Sequence, residues 1–265
     1  MAVLHDRLNP TVAEAIERMR ARGLTVDLIG PPLPTTELTT LRPAHDLYYV
    51  KTSTEPVLSY AAALHAAGAA TINPYPRIEL LGNKLAAAVE LRKAGLPVPE
   101  TWITDDRRVL AQLLEGGPLV LKPCRGSRGR GVVAVHQASE LPERLDAAVV
   151  VQRYHRGDGF DRKLYCIGDR VFALKRPWPC ATWAMKSARS EPFSPDARLR
   201  ELVLRCREAL GLSLFGLDVV LSEGEPHVVD VNKCAGFLGV PGAPEILCDH
   251  LAQACERARR ARGPA

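Results

Sequence analysis

The sequence predicts an α/β (α+β) fold built of two or three lobes, and three observations carry that expectation. Strand-like and helix-like segments alternate through the first third of the chain. An apolar run then ends in a lysine and a glycine-rich loop, Leu121-Lys122-Pro123-Cys124-Arg125-Gly126-Ser127-Arg128-Gly129-Arg130-Gly131. A later strand-like stretch, Val228-Val229-Asp230-Val231-Asn232, carries two oxygen-bearing side chains. At 265 residues the chain is long enough to bury a sizeable core.

Val3-Leu4 is a minimal strand, and Pro10–Arg22 reads as a helix with Val12, Ala15, Ile16 and Met19 on one face. Gly23 closes it, Thr25–Ile29 reads as a second strand, and 31–34 is a proline-rich loop. Leu47–Val50 is a third strand, leading through Lys51-Thr52-Ser53-Thr54 into the alanine-rich helix Val57–Ala67. This alternation predicts a small parallel lobe ending near Pro76. A helix follows at Lys84–Ala94, closed by Gly95 and the turn Leu96-Pro97-Val98-Pro99. Strands are expected at Leu119–Lys122, Val132–Val135 and Val149–Gln152, with a helix between the last two. Lys163–Ile167 and Val171–Lys175 form a hairpin through Gly168-Asp169. A helix within 195–210, strands at Gly216–Leu221 and His227–Val231, and a terminal helix Pro244–Arg262 complete the chain. The Arg-rich end of that helix reads as a solvated face.

Composition excludes several classes. An apolar share of 46% with 25% charged residues is that of an ordinary globular protein. The longest uncharged apolar stretch, Pro56–Ile72, is too short and alanine-rich to span a membrane. The N-terminus reaches His5, Asp6 and Arg7 without an apolar segment, so no signal peptide is expected. Seven cysteines, odd in number and never in Cys-x-x-Cys, fit reduced thiols in a cytoplasm better than disulfides or zinc. The net charge of +5 suits anionic substrates and gives no reason to invoke nucleic acid; oligomeric state is left open. No Ser-His-Asp constellation or histidine metal motif emerges.

The remaining residues point to a nucleotide and a hard cation. A glycine loop lets backbone N–H groups approach phosphate oxygens, because no Cβ stands in the way. Lys122, beside it, supplies a point charge. Lys84 opens a helix, whose start favours an anion. Asp230 and Asn232, two apart on a strand, share a face, and Asp218 lies on a neighbouring strand. Few carboxylates, completed by phosphates and water, are what magnesium prefers.

In order, Asn83-Lys84, Leu121-Lys122-Pro123 with Gly-Ser-x-Gly-x-Gly, Val151-Gln152-Arg153-Tyr154, Asp218 and Asp230-Val-Asn232 resemble the ATP-grasp superfamily, and most of all the RimK-type carboxylate–amine ligases. The resemblance covers about residues 70–250. It implies a small N-terminal lobe over 1–78, a central lobe over 79–155 and a C-terminal lobe over 156–265, with ATP between the last two. It further implies that Lys84 and Lys122 reach the phosphates and that Gly126, Ser127, Gly129 and Gly131 close over them. Gln152, Arg153 and Tyr154 match the hinge that pairs with the adenine edge, and Asp158 or Asp161 would take the ribose hydroxyls. Asp161-x-Lys163 is similar to the family's Asp-x-Arg, with the planar fork lost. Arg176 corresponds to a basic residue that neutralises the transferred phosphoryl group. Asp218, Asp230 and Asn232 would hold Mg2+, with Mn2+ as an alternative. One departure is visible: Lys233-Cys234-Ala235-Gly236 replaces the usual small or aromatic residue and Phe-Pro-Gly.

The activity implied is ATP-dependent joining of a carboxylate to an amine through an acylphosphate. The carboxylate substrate, small molecule or peptide, is expected near Lys51-Thr52-Ser53-Thr54, beyond the end of a strand. An alternative is a small-molecule kinase similar to ATP-grasp inositol polyphosphate kinases, which Phe215-Gly216-Leu217-Asp218 and Lys175-Arg176-Pro177 resemble. A third is a nucleotide-binding partner protein without turnover.

Overall fold

The computed structural model describes residues 1–126, 129–177 and 190–262. It begins with β1 (Ala2–His5), α1 (Pro10–Ala21), β2 (Asp27–Ile29), β3 (Tyr48–Lys51), α2 (Glu55–Ala66) and β4 (Thr71–Ile72). The four strands form a parallel sheet in the order β2-β1-β3-β4. Asn9 caps α1 by accepting from the Val12 N–H, with Pro10 pre-set for the first turn. The helix buries Val12, Ala15, Ile16 and Met19, the face that its spacing predicts.

Next come α3 (Tyr75–Leu80), α4 (Lys84–Lys93), β5 (Thr101–Thr104), α5 (Arg107–Glu115), β6 (Leu119–Pro123), β7 (Val133–Val135) and β8 (Val149–Arg153). The last four strands make an antiparallel sheet, β5-β8-β6-β7. It has a core of its own, with Leu110 of α5 against Leu119, Leu121, Val135, Leu141 and Val151. The helix expected between β7 and β8 is absent; a single 3-10 turn, Ala138–Glu140, stands there. Pro142 disfavours helical geometry at Leu141, which is extended at ψ 134. Helices α3 and α5 and strand β5 escaped the sequence reading, α3 because six residues carry too little periodicity.

The chain ends with β9 (Phe160–Ile167), β10 (Arg170–Pro177), β11 (Glu191–Phe193), α6 (Ala197–Leu210), β12 (Leu214–Ser222), β13 (Glu225–Asn232) and α7 (Ala243–Arg262). The strands form an antiparallel sheet, β11-β10-β9-β12-β13, and the Gly168-Asp169 turn joins β9 to β10 as expected. Alternation sends Leu164, Cys166, Ala173, Phe215 and Leu217 to one face, under α6. The opposite face carries Tyr165, Ile167, Leu174 and Leu214. These join a core shared with Val12, Ile16 and Met19 of α1 and Leu247 and Leu251 of α7. Arg18 and Arg22 of α1 pair with Glu245 and Asp249 of α7 along its rim. The parallel sheet and the third sheet thus share one core, whereas the central sheet keeps a separate one.

Candidate active site

The face of the third sheet that is core at one end becomes charged at the other. Along β9 it reads Ile167, Tyr165, Lys163, Asp161, from apolar to ionic. Cross-strand pairing extends each position into a row, and Lys163, Asp218 and Asp230 stand side by side. The Lys163 ammonium is 3.0 Å from Asp218 Oδ1, which pushes the lysine pKa up. Beside this row Arg176 Nε donates to Asp161 Oδ2 at 2.9 Å, and a second guanidinium nitrogen contacts the same oxygen. Burial, then the neighbouring Asp218, push the Asp161 pKa up, against the pull of Arg176.

Two lysines reach this face from outside the sheet. Lys84, first residue of α4, donates to Asp230 Oδ1 at 2.9 Å. Lys122, on β6 of the central sheet, donates to Gln152 Oε1 at 2.6 Å and to the Val229 carbonyl at 2.8 Å. Buried there, it is pulled down to about pKa 8, with Asp230 opposing and Lys84 reinforcing the shift. Gly129 and Gly131 have φ 67 and 70, a backbone that side chains resist, and Lys84 also approaches the Gly126 carbonyl at 3.4 Å. Arg130 is exposed, and Arg125 pairs with Glu79. Ser127 and Arg128 lie outside the described residues.

Several sequence expectations need correction. The start of α4 is not an open nest of N–H groups. Asn83 Oδ1 accepts from Leu85 and Ala86, and the Lys84 N–H donates to Cys124, so an anion there meets the side chain of Lys84 instead. In the hinge, the N–H groups of Arg153 and Tyr154 are already donated to Glu100 and Pro118. Arg153 Nη1 donates to the Gly117 and Leu113 carbonyls, and the guanidinium lies 5.3 Å from the Trp102 ring centre. Asp158 accepts from Nη1 and Nη2 of Arg162, one to each carboxylate oxygen. Lys51 donates to the Cys234 carbonyl at 2.9 Å and Lys233 to the Ile78 carbonyl at 2.6 Å. Both ammonium groups therefore fasten the 233–236 segment to the parallel-sheet side. That role is invisible in sequence, because the partners are carbonyls 183 and 155 residues away. The Asn83 cap, by contrast, was legible from an Asn directly before a helix.

Among the described residues no three carboxylate, histidine or cysteine side chains already converge as a metal cage. Asp218 Oδ1 is nevertheless buried, and its ion pair with Lys163 lacks the geometry of a hydrogen bond. With Asp230 opposite and Asn232 two residues on, the donor set is of hard oxygens, which fits Mg2+ completed by phosphates and water. The six described cysteines are free thiols, and burial pushes Cys166 and Cys206 up to about 12.

A profile of the ATP-grasp domain matches residues 81–234, which span α4, the glycine loop, the hinge and all three candidate metal ligands. The chain belongs to the ATP-grasp family. A probable alpha-L-glutamate ligase of Xanthomonas oryzae pv. oryzae (strain MAFF 311018) is 27% identical, over 91% of this chain and 93% of that protein. The crystal structure of a RimK domain ATP-grasp protein from Sphaerobacter thermophilus DSM 20745 superposes with a TM-score of 0.77 at 25% identity, covering 94% of this chain and 98% of that one. The ATP-grasp ligase PsnB, solved with a minimal precursor, Mg and ADP, has the same fold, with a TM-score of 0.73 at 21% identity and 96% of both chains covered. The ATP-grasp fold and the resemblance to RimK-type ligases are thus borne out, and no helix among the described residues is long and apolar enough to cross a membrane.

Proposed function

We propose that this ATP-grasp ligase activates a substrate carboxylate with ATP and joins it to an amine, with Lys84, Lys122 and the 126–131 loop on the phosphates and Asp218, Asp230 and Asn232 holding Mg2+. The observation that carries the assignment is the Lys163-Asp218-Asp230 row, flanked by Arg176 and met from outside the sheet by Lys84 and Lys122. Four cations and the acidic row suit a reaction in which negative charge gathers on transferred phosphoryl oxygens. No nucleophilic side chain is needed: Cys234 is half-buried, desolvation pushes its thiol pKa up, and Sγ lies 2.9 Å from the Thr52 carbonyl.

The substrate carboxylate oxygen bonds to the γ-phosphorus, and the bond to the β–γ bridging oxygen breaks to release ADP. The amine nitrogen then bonds to the acyl carbon and phosphate departs. Lys84, now paired with Asp230, would turn to the phosphates, Asp218, Asp230 and Asn232 would hold Mg2+, and Lys163 and Arg176 line the acceptor end. Closure around these groups supplies positioning and excludes water. ADP release measured against a panel of amino acids, peptides and inositol phosphates, with product masses, tests the assignment. An amide product is expected. A phosphoester would identify a kinase, and binding without turnover a nucleotide-binding partner protein.

A further inference from the structure

The row next to Lys163-Asp218-Asp230 is Phe172-Tyr165-Gly216-Asn232, so Tyr165 shares a cross-strand row with a proposed metal ligand. It stands at the boundary between the shared core and the ionic end of β9, with 6% of its surface exposed. Its ring lies over Gly216: a Cβ built there would meet Tyr165 Cδ1 and Cε1 at 3.2 Å. On its other side is Phe237, fully buried, with ring centres 5.6 Å apart. The ring is therefore clamped, and packing sets where its hydroxyl points. The charged groups acting on that hydroxyl are Lys163, Asp218, Arg176 and Asp161, all at the ionic end of the face. Burial pushes the phenol pKa up, so it is a proton-bearing donor at neutral pH and not a base. It makes no hydrogen bond to any described residue.

We propose that the Tyr165 hydroxyl is a catalytic donor that hydrogen-bonds the reacting carbonyl oxygen of the acyl group during amide formation. This rests on the ligase assignment above. As the amine nitrogen bonds to the acyl carbon, the carbonyl π pair moves onto oxygen. When that pair returns, the C–O bond to phosphate breaks, phosphate leaves with its electrons, and the amine proton passes to phosphate. Charge is greatest on the carbonyl oxygen between the two events, where a pre-set donor stabilises it most. A glycine at 216 is what lets an aromatic ring lie flat there, next to Asn232. An aliphatic residue at 165 would fill the same space without a donor.

The test compares the wild type with Tyr165→Phe, which keeps the ring and its packing, and with Gly216→Ala, which keeps the hydroxyl but crowds the ring. Amide formation is followed by product mass and ADP release, and nucleotide binding by the thermal shift with magnesium and a non-hydrolysable ATP analogue. Tyr165→Phe is expected to lower kcat by about 10²-fold, as loss of one oxyanion donor does, with KM and the nucleotide shift unchanged. Gly216→Ala is expected to lower kcat in the same sense, which decides the matter should Tyr165→Phe fail to fold. An unchanged kcat, a loss confined to KM, or a lost nucleotide shift overturns the contact. A wild type that makes no amide overturns the ligase assignment and this contact with it, and is recognised before either variant is compared.

Discussion

Replacing Lys122 with methionine keeps the length and apolar volume of the side chain and removes its charge. Lys122 is 7% exposed, and burial pulls its pKa to about 8 from an ordinary 10.5. At about 1.4 kcal/mol per pH unit, holding that ammonium charged inside the folded protein at pH 7 costs about 3 kcal/mol. The folded lysine releases its proton near pH 8 and the unfolded one near 10.5. Between those values the unfolded state binds more protons, so this group makes the wild type more stable as pH rises. Methionine has no such dependence, whereas the thiols and other groups titrate alike in both proteins. The stability of Lys122→Met relative to the wild type should therefore fall by about 3 kcal/mol between pH 7 and 10.5, most of it above pH 8. Urea denaturation of both proteins across that range, without nucleotide, measures it. A bound phosphate offsets the same cost: magnesium-ATP at 100 times its Kd should stabilise the wild type by about 2.7 kcal/mol, and the variant should lose most of that. A stability difference that does not change with pH refutes the burial argument. A full nucleotide shift in the variant refutes the phosphate assignment.

Asp230→Asn should fold normally yet lose turnover by orders of magnitude at limiting magnesium, because one anionic ligand is gone and Lys84 loses its partner; near-wild-type turnover there would remove Asp230 from the metal site. Lys51→Met deletes the charge-assisted bond to the Cys234 carbonyl and should cost about 1.5–3 kcal/mol in urea titrations. It should also raise KM for the carboxylate while the nucleotide shift stays, and an unmoved KM would separate this strand end from the substrate. Gly236→Ala should destabilise by about 1–3 kcal/mol, since a new Cβ overlaps the Asn9 amide that donates to the Gly236 carbonyl at 3.1 Å. A stability equal to the wild type would mean that this junction between lobes yields freely.

The parallel sheet and the third sheet are packed through one fused core. Residues of α1, β1 and β3 pack with those of β9, β12 and α7 in one cluster, and Arg18 and Arg22 pair across it. The central sheet has its own core and reaches the acidic row through Lys122 and its bond to Val229. Segment 233–236, where the chain departs from the family, is fastened on the fused side by Lys51, Lys233 and Asn9. Both lysines engage backbone carbonyls of this junction.

The sequence by itself determined most of the elements and the residue types of the candidate site. Caps, periodicity and turns place most helices and strands to within a few residues, since these depend on neighbours three or four positions away. Lysine beside a glycine loop, and Asp230 two positions from Asn232, are the patterns from which a phosphate and a hard cation are proposed, and they too are local. The short α3 offers too little periodicity to read, Pro142 forestalls the helix after β7, and the occupied amides of the hinge were decided by contacts that local patterns do not encode. Only the tertiary structure decided that Lys163, Asp218 and Asp230 form one row, that Tyr165 lies over Gly216 beside Asn232, and that Lys51 and Lys233 hold a junction. Each depends on strand register and on partners far apart in the chain, and register is set by how whole faces bury together.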